Sequence, residues 1–514
     1  MKGLIHGFLL NFATLGSAFA FQFDDVESLA RDLAQKPYRG KEDGATLPKS
    51  LELMNYDQYR AIKNRPEGRL WQEEGLPFRL ELLHSGYLFK RPVKLHEVSG
   101  ENGEVSEIGF DPQRYDYADL IVDDDPKSWS SLTGYAGFRI QHPLNGGSEQ
   151  WDEIGSFVGA SYFRVLGQDQ RYGLSARGLA INVANSGTLE EFPDFIAYWL
   201  VKPKPGDRGL TIYALLEGPS VTGAYEFQIV PGVSTEVDVR VSLFFRNQVA
   251  SLGMAPLTSM FLYGENSRER PFRDWRPEVH DSDGLLVATR TGELVWRPLL
   301  NMEQIRFSAF EVENPRGFGL MQRDRNFTHY QDLDNPYHLT PSYWVECQGD
   351  WGKGKVRLIE LPTPYETYDN IVAFFEPDEM PEAGEALSFS YVLKSTMHLE
   401  EGLSPERVVA TRVGVDPIYG DTRRFVVDFD GPTLRSMDKT SAVYAVIDSG
   451  PNGYITENRC FKNEQTGGWR VAFKLDTDDH NQDPVELRCF LKLQPEGQTL
   501  TETWSYQWLP ENKN

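Results

Sequence analysis

The sequence feature that most constrains the fold is a two-residue alternation of apolar and polar side chains that recurs along the chain. Such alternation is typical of antiparallel strands that bury one face and expose the other. Glycine (45 residues) and proline (31 residues) punctuate the alternating segments. The sequence has no regular succession of strand and helix patterns, which disfavours a parallel α/β sheet. We therefore predict an all-β protein. The clearest alternating segments are Phe78–Leu82, Val237–Leu243, Trp469–Leu475 and Val485–Leu491.

Two segments near the N-terminus instead follow a helical period. Apolar residues between Phe23 and Ala34 recur at helical spacing, and Asp24 is the predicted N-cap. A second helical patch is predicted from Pro48 to about Ile62.

The length of 514 residues is too great for one compact sandwich, so we predict two domains. Residues 21–396 would form a large β-sandwich. Residues 397–407 are polar without a strand period and would form a linker. Residues 408–514 suit an immunoglobulin-like sandwich in size.

Residues 1–20 are typical of a secretion signal. Lys2 is followed by a short apolar stretch, and Ala18–Ala20 is a small-x-small cleavage site that would leave Phe21 as the first mature residue. No later segment has the roughly 20 apolar residues of a membrane span. We therefore predict a soluble, exported protein.

The charge and the aromatic content of the chain indicate which classes of ligand it can bind. The formal net charge of −24 argues against nucleic acid and anionic membranes, which both reward clustered Lys and Arg. Aromatic residues make up 12% of the chain, which suits sugar binding, because aromatic faces pack on sugar rings. A large β-sandwich core accounts for the same content equally well. Cys460 and Cys489 either pair and leave Cys347 free, or all three are buried thiols.

Several common chemistries lack their motifs. The nine histidines include no HExxH pattern. Gly173–Arg177 fails the GxSxG nucleophile motif, because Arg177 occupies the last position. Asp476–His480 is acidic but lacks the Gly and Glu of a calcium loop. We predict no metal and no cofactor.

What remains is two segments that place carboxylates among aromatic and arginine residues, Arg273–Leu285 and Glu366–Phe375. Glycoside cleavage needs two carboxyl groups, one that protonates the leaving oxygen and one that activates water or attacks the sugar. Each segment could supply one of them. The alternative is that these acidic residues form turns or pair with arginines.

These segments and several others resemble the periplasmic glucan biosynthesis proteins G and D over nearly the whole mature chain. The resemblance is carried by residues 159–165, 172–180, 255–261, 296–299, 313–319 and 502–506. It implies a large N-terminal β-sandwich, similar to sugar mutarotase and polysaccharide lyase domains, and a C-terminal immunoglobulin-like domain. It also implies a role in making osmoregulated periplasmic glucans. The implied activity is that of an inverting glycosidase or a transglycosylase on their β-1,2-glucan backbone.

The resemblance implies that Asp369 is the general acid and Asp281 the general base. Asp283 is the less favoured base, because related members tolerate Asn there. Glu366 and Tyr337 would line the acid or the water path. The acid needs a raised pKa, from burial or from a carboxylate such as Glu366. The candidate sugar or cleft contacts are Trp275, Arg276, Trp296, Arg297, Tyr162, Arg164 and Arg177.

The sequence leaves alternatives open for the arginines, for one loop, for the G or D type and for the function. The arginines among the contacts would otherwise form structural ion pairs. A loop with Asp416, Tyr419 and Asp421 would reach a cleft, in some relatives that of a homodimer partner. The N-terminus favours the G type and residues 281–284 the D type. The competing functions are a non-catalytic glucan-binding scaffold and, more distantly, a polysaccharide lyase.

Overall fold

The computed structural model describes residues 20–510 except 41–46, 101, 124, 127–128, 130–133, 148–149, 186, 268–272, 399–402, 404, 417–421, 479–482 and 496. The predicted signal up to residue 19, part of the predicted linker, Tyr419, Asp421 and His480 lie outside this range. The described chain is built mainly from strands, so the all-β prediction is confirmed. None of the described helices is long and apolar enough to cross a membrane.

The predicted N-terminal helix is confirmed as α1, but Gln22 and not Asp24 is its N-cap, and the Gln22 backbone N–H donates to the Asp25 carboxylate at 2.8 Å. The second helical patch forms two short helices, because the chain turns between them. The helices are α1 (Phe23–Ala34), α2 (Lys49–Glu52), α3 (Tyr56–Ala61), α4 (Phe327–Tyr330) and α5 (Pro432–Ser436). Short 3₁₀ turns span Pro66–Gly68, Pro112–Arg114 and Tyr337–Leu339.

Two large sheets dominate the fold. In spatial order the ten-stranded sheet contains β2 (Arg79–His84), β6 (Tyr135–His142), β7 (Asp152–Val158), β8 (Tyr162–Val165), β9 (Ser175–Arg177), β15 (Leu252–Ser259), β24 (Ile371–Pro377), β23 (Lys353–Glu360) and β20 (Arg306–Glu313), with β10 (Ala180–Ile181) paired to β15. The fifteen-stranded sheet contains β28 (Val443–Asp448), β31 (Val485–Leu493), β33 (Thr503–Trp508), β19 (Leu294–Pro298), β18 (Gly284–Ala288), β21 (Gly317–Met321), β22 (Ser342–Gln348), β25 (Ala386–Thr396), β14 (Thr235–Phe245), β13 (Val221–Val230), β12 (Leu210–Glu217), β11 (Asp194–Val201), β3 (Lys94–Ser99) and β4 (Glu104–Glu107), with β32 (Gln498–Thr499) paired to β31.

Three smaller sheets complete the fold. They are β1 (Lys63–Asn64) with β5 (Tyr115–Asp116), β16 (Phe261–Tyr263) with β17 (Val279–His280), and a four-stranded sheet of β26 (Arg407–Val415), β27 (Arg423–Asp430), β30 (Trp469–Asp476) and β29 (Tyr454–Lys462). Within the described residues the ladders are antiparallel except for two parallel pairs, β3 with β11 and β19 with β33.

The alternating pattern builds a core between the two large sheets. Along β14 the buried residues include Val237, Val239 and Val241, while the residues between them are exposed. From the facing sheet Phe157 contributes its ring, which packs on Phe227 at 5.1 Å between centroids. This face-to-face packing explains why the two-residue period was the informative signal.

The C-terminal strands continue the fifteen-stranded sheet, because β33 pairs in parallel with β19. The four-stranded sheet shares a second core with strands from both sides of this pairing. This core includes Trp296, Trp344 and Trp504 from the fifteen-stranded sheet and Phe425 from the four-stranded sheet. The domain boundary at 397–407 therefore stays a prediction. The three cysteines are free thiols, so Cys460 and Cys489 are not paired. Of the three thiols only Cys489 is fully buried, whereas Cys347 and Cys460 are partly exposed.

Candidate active site

Asp369 lies at the entrance of β24, where its neighbour Asn370 fixes the chain. The buried Asn370 side chain accepts a hydrogen bond from the Phe261 N–H (2.8 Å) and donates to the carbonyls of Phe261 and Leu361 (both 3.0 Å). The loop before Asp369 is thereby held to β16, and a strand end presents the carboxyl rigidly. Asp369 itself is exposed, and its Oδ2 lies 3.4 Å from the Thr258 hydroxyl.

Asp281 lies between β17 and β18, deeper than Asp369. Its backbone N–H donates to the Met260 carbonyl at 2.8 Å. Its carboxyl lies directly over Gly173, where an added Cβ would sit 2.5 Å from Asp281 Oδ1 and 2.3 Å from Thr340 Cγ2. The space for the carboxyl therefore depends on a missing side chain at position 173.

Both carboxyls hold protons more tightly than free aspartate. Burial, reinforced by the charge of Asp369, raises the pKa of Asp281 to about 7. Burial also raises the pKa of Asp369, because the walls around this exposed group remove much of its water. Of the two expected causes of a raised Asp369 pKa, burial acts, whereas Glu366 is bonded to Tyr337 and Arg276.

Arg164 joins the carboxyl pair electrostatically. Its charge lowers the pKa of both Asp281 and Asp369, which partly offsets burial and places the guanidinium near both groups. Its Nε donates to Ser175 Oγ at 2.7 Å. Tyr162 lies two residues before Arg164 on β8. Burial raises the pKa of Tyr162, and the negative charge of the nearby Asp369 raises it further.

Glu366 and Tyr337 form a second group beside the pair. Tyr337 donates its hydroxyl to Glu366 Oε2 at 2.7 Å, and Arg276 donates to the same oxygen at 2.6 Å. Arg276 also donates hydrogen bonds to Asp274 and Asp332, so its guanidinium is held in structural ion pairs. Burial, then Glu366 and Asp281, raise the pKa of Tyr337 far above its usual value.

Three predicted contact residues lie elsewhere or are occupied. Arg177 is buried and donates to Glu190 (3.0 Å) and to the Glu191 carbonyl (2.9 Å). Trp296 is buried in the second core, with the Arg323 guanidinium 3.6 Å from its ring centre. Arg297 is buried too.

Arg297 pairs with Glu486 at 2.8 Å. Neither Arg297 nor Trp296 lines the groove, because on β19 Trp296 points into the second core and Arg297 points to the opposite face, over the Phe310 ring. Asp416 is likewise no cleft residue here. Its buried carboxylate is paired with Arg424 (3.0 Å) and Lys474 (3.2 Å).

A groove begins at Asp369 and follows the ten-stranded sheet. A cavity of about 850 Å³ begins at Asp369 and is lined by Tyr162 and Arg164. An adjoining cavity of about 620 Å³ shares a wall with it. The shared wall consists of Leu88, Phe89, Gly159 and Ala160. Together the two cavities leave room for a ligand that extends from Asp369 past this shared wall.

Exposed aromatic side chains lie near Glu366 and Asp369 in the chain or through Arg276. Trp275 is 67% exposed and precedes Arg276, which bonds Glu366. Tyr365 and Tyr368 are 60% and 61% exposed, and their ring centres lie 6.0 Å apart. Sequence reasoning missed both tyrosines, although their positions on either side of Glu366 were a usable signal.

Asp283 faces away from the pair and has a structural contact set. Its Oδ2 accepts hydrogen bonds from the backbone N–H groups of Arg323 and Asp324, both at 2.9 Å, and burial raises its pKa to about 6. Glu278, Asp324 and His329 form a nearby acidic cluster. We assign no metal to it, because Glu278 is bonded to His280 and Asp324 to His329.

The fold and site define an all-β protein with two interacting carboxyls of raised pKa, one of which, Asp369, lies at the end of a groove. Residues 21–508 match the family described as periplasmic glucan biosynthesis protein, MdoG, and the chain belongs to this family. It is 44% identical to a glucans biosynthesis protein G of Ralstonia nicotianae, over 97% of this chain and 98% of that protein. A protein of the same name from Serratia proteamaculans is 43% identical, over 96% of this chain and 94% of that protein.

Proposed function

We propose that the protein acts in the biosynthesis of osmoregulated periplasmic glucans as an inverting glycosidase or transglycosylase on the β-1,2-glucan backbone. The observation that carries the proposal is the pair Asp281 and Asp369. Both pKa values are raised, the charge of Asp369 acts on Asp281, and Asp369 lies at the end of the groove. Two neighbouring carboxyls do not ionise together readily, so one member can donate a proton while the other accepts one.

In this mechanism Asp369 is the general acid, because it is the more exposed carboxyl and borders the groove. It protonates the glycosidic oxygen as the bond to the anomeric carbon breaks. Asp281 removes a proton from water, whose oxygen attacks the anomeric carbon from the opposite face and inverts its configuration. In transglycosylation a sugar hydroxyl replaces the water.

The remaining groups have supporting roles. Arg164 favours the ionised state of the pair and limits how far burial raises the two pKa values. The Tyr337–Glu366 hydrogen bond, held by Arg276, joins the acid segment to Tyr337, which senses the charge of Asp281, and we assign it the water path. Trp275, Tyr365 and Tyr368 offer exposed rings to sugars beyond the acid.

The test is incubation with linear β-1,2-glucan, with product size and anomeric configuration followed by chromatography and NMR. We expect shorter or transferred chains of inverted configuration, and loss of this activity in Asp369→Asn. Asp448→Asn, at an exposed site in the C-terminal strands, is the matched control. An inert wild type or a fully active Asp369→Asn would refute the proposal.

A non-catalytic glucan-binding scaffold is the second candidate. The two adjoining cavities favour it, because they would hold an extended chain even if no bond were broken. Saturable glucan binding in the wild type, with unchanged substrate length after long incubation, would select the scaffold over the enzyme.

We also propose that the protein is exported and cleaved after Ala20. The family match begins at residue 21. Phe21 stacks on Trp199 with 5.3 Å between ring centres, and Gly103 packs against the Ala20–Phe21 backbone. N-terminal sequencing of the protein from a periplasmic fraction should begin at Phe21, and a start at Met1 would contradict this.

A further inference from the structure

His280 is a buried neighbour of Asp281 and has no part in the mechanism above. Its side chain is essentially inaccessible and precedes Asp281 in the chain. The ring stacks on Phe261 (5.3 Å between centres) and meets the edge of Tyr330 (5.2 Å). Nε2 lies 3.0 Å from Glu278 Oε2, and Nδ1 lies 3.0 Å from Gln322 Oε1.

The hydrogen bonds of Gln322 fix which of its amide atoms faces the ring. Its Nε2 is 2.9 Å from the His280 carbonyl and 3.2 Å from the Tyr337 carbonyl. Carbonyl oxygens only accept hydrogen bonds, so the amide nitrogen must face them and the amide oxygen must face His280 Nδ1.

Both ring nitrogens of His280 therefore face acceptors. The Gln322 amide oxygen requires a proton on Nδ1, and the Glu278 carboxylate requires one on Nε2. Burial alone would lower the pKa of His280, but the hydrogen bond and charge of Glu278 outweigh burial and raise that pKa to about 9.

We propose that His280 is a permanently protonated positioning residue, whose imidazolium and its partner Gln322 fix the main chain at Asp281 and Tyr337 and favour the ionised form of Asp281. Gln322 bonds the carbonyls of His280 and Tyr337 at once, so one buried amide sets the spacing of the two segments. The consequences for catalysis rest on the proposed function, whereas the protonation state does not.

The other charges around His280 act in the same direction. Glu278, Glu265, Asp283 and Asp281 face it as acids. The nearby cations serve other carboxyls, since Arg323 acts on Asp283 and Arg164 on the carboxyl pair. Tyr330 meets the ring only by its edge. A neutral His280 would leave this acidic group with one compensating charge fewer.

The direct test is the protonation state in protein labelled with ¹⁵N-histidine. Long-range ¹H–¹⁵N correlation spectra between pH 6 and 8 should show one imidazole that keeps both ring protons throughout. His280→Gln should remove that signal; if this variant does not fold, substitution of the other eight histidines in turn assigns the signal by elimination. A His280 ring that is neutral at pH 7 would overturn the proposal.

The second test is the pH profile of glucan turnover. Loss of the nearby positive charge in His280→Gln should raise the pKa of Asp281 and move the acid limb of kcat/KM up by about one pH unit. The control is His96→Gln, which changes a buried histidine stacked on Trp199, and it should leave the limb in place. An unmoved limb in folded His280→Gln would overturn the electrostatic role.

The two proposals fail separately. An inert wild type with a protonated His280 would refute the enzymatic function alone. An active wild type with a neutral His280 would refute the positioning role alone.

Discussion

The carboxylates at the groove and those of the C-terminal four-stranded sheet differ in whether a cation is bound to them. In the C-terminal sheet Asp428 accepts two hydrogen bonds from Arg470 (2.6 and 2.8 Å) and one from Arg412 (3.1 Å). At the groove, within the described part of the chain, neither Asp281 nor Asp369 has a cation within salt-bridge distance, and their hydroxyl contacts are long (3.5 and 3.4 Å).

The difference separates acids that support the fold from acids available for chemistry. A carboxylate paired with a cation stays ionised, and its charge stabilises that ion pair. A desolvated, unpaired carboxyl has a raised pKa, destabilises the fold when ionised, and can exchange a proton near neutral pH. If this contrast is sound, the same substitution should have opposite effects in the two regions.

The largest expected effect is on activity in Asp281→Asn. Without a base to accept the water proton, glucan turnover should fall by about 10²- to 10⁴-fold. Initial rates on linear β-1,2-glucan measure it, with Asp428→Asn as the matched variant in the C-terminal sheet. Comparable losses in both variants would end the distinction between the two regions.

Gly173→Ala should come next, because the new methyl would push on both Asp281 and Thr340. Displacing a reacting group by roughly 1 Å costs up to about 10²-fold, so we expect a loss of roughly 10- to 100-fold. The control is Gly414→Ala on β26, where an added Cβ meets nothing within 4 Å. Wild-type rates in Gly173→Ala would show that the carboxyl is not confined there.

The stability of Asp281→Asn should depend on pH. The wild-type pKa is raised from 3.8 to about 7 in the folded state, so this carboxyl's contribution to stability is greatest below pH 4 and is lost as pH rises through 7. Asparagine imitates the protonated form. We expect the variant to be about 1–2 kcal/mol more stable than wild type at pH 8 and equally stable at pH 3.5. Urea denaturation at the two pH values measures this, and a less stable variant at pH 8 contradicts it.

The smallest effect should be that of Asp428→Asn, which weakens the bonds to Arg470 and Arg412. We expect a loss of about 1 kcal/mol at pH 7 and unchanged glucan turnover. Thermal or urea denaturation gives the first quantity. A stabilised Asp428→Asn would place this aspartate with the groove carboxyls.

The sequence could predict elements whose signal is local. The alternation in Val237–Leu243 recovers the middle of β14, and the helical period recovers α1 in full. The cap of α1 was wrong, because the helix begins at Phe23 and Asp24 falls inside its first turn, while the N-cap position is taken by Gln22, a residue type that N-cap preferences do not favour. For the site, resemblance supplied Asp281 and Asp369 as candidates, and the structure places them close enough to interact electrostatically, with Asp369 at the groove.

Other predictions depended on where a strand points, which sequence spacing does not reveal. Trp296 and Arg297 look like cleft residues in the sequence, yet β19 lies at the junction with β33 and buries both. The roles of Asn370, Gly173 and Gln322 were not predicted, because they consist of contacts with residues distant in the sequence.

By itself the sequence determined the all-β architecture, since strand formation follows from a short-range periodicity that each segment carries independently. Only the tertiary structure decided which acids are paired and which are desolvated. Aspartates 281, 369 and 428 are chemically identical, and their difference arises from the water, charges and space that distant segments leave around each one.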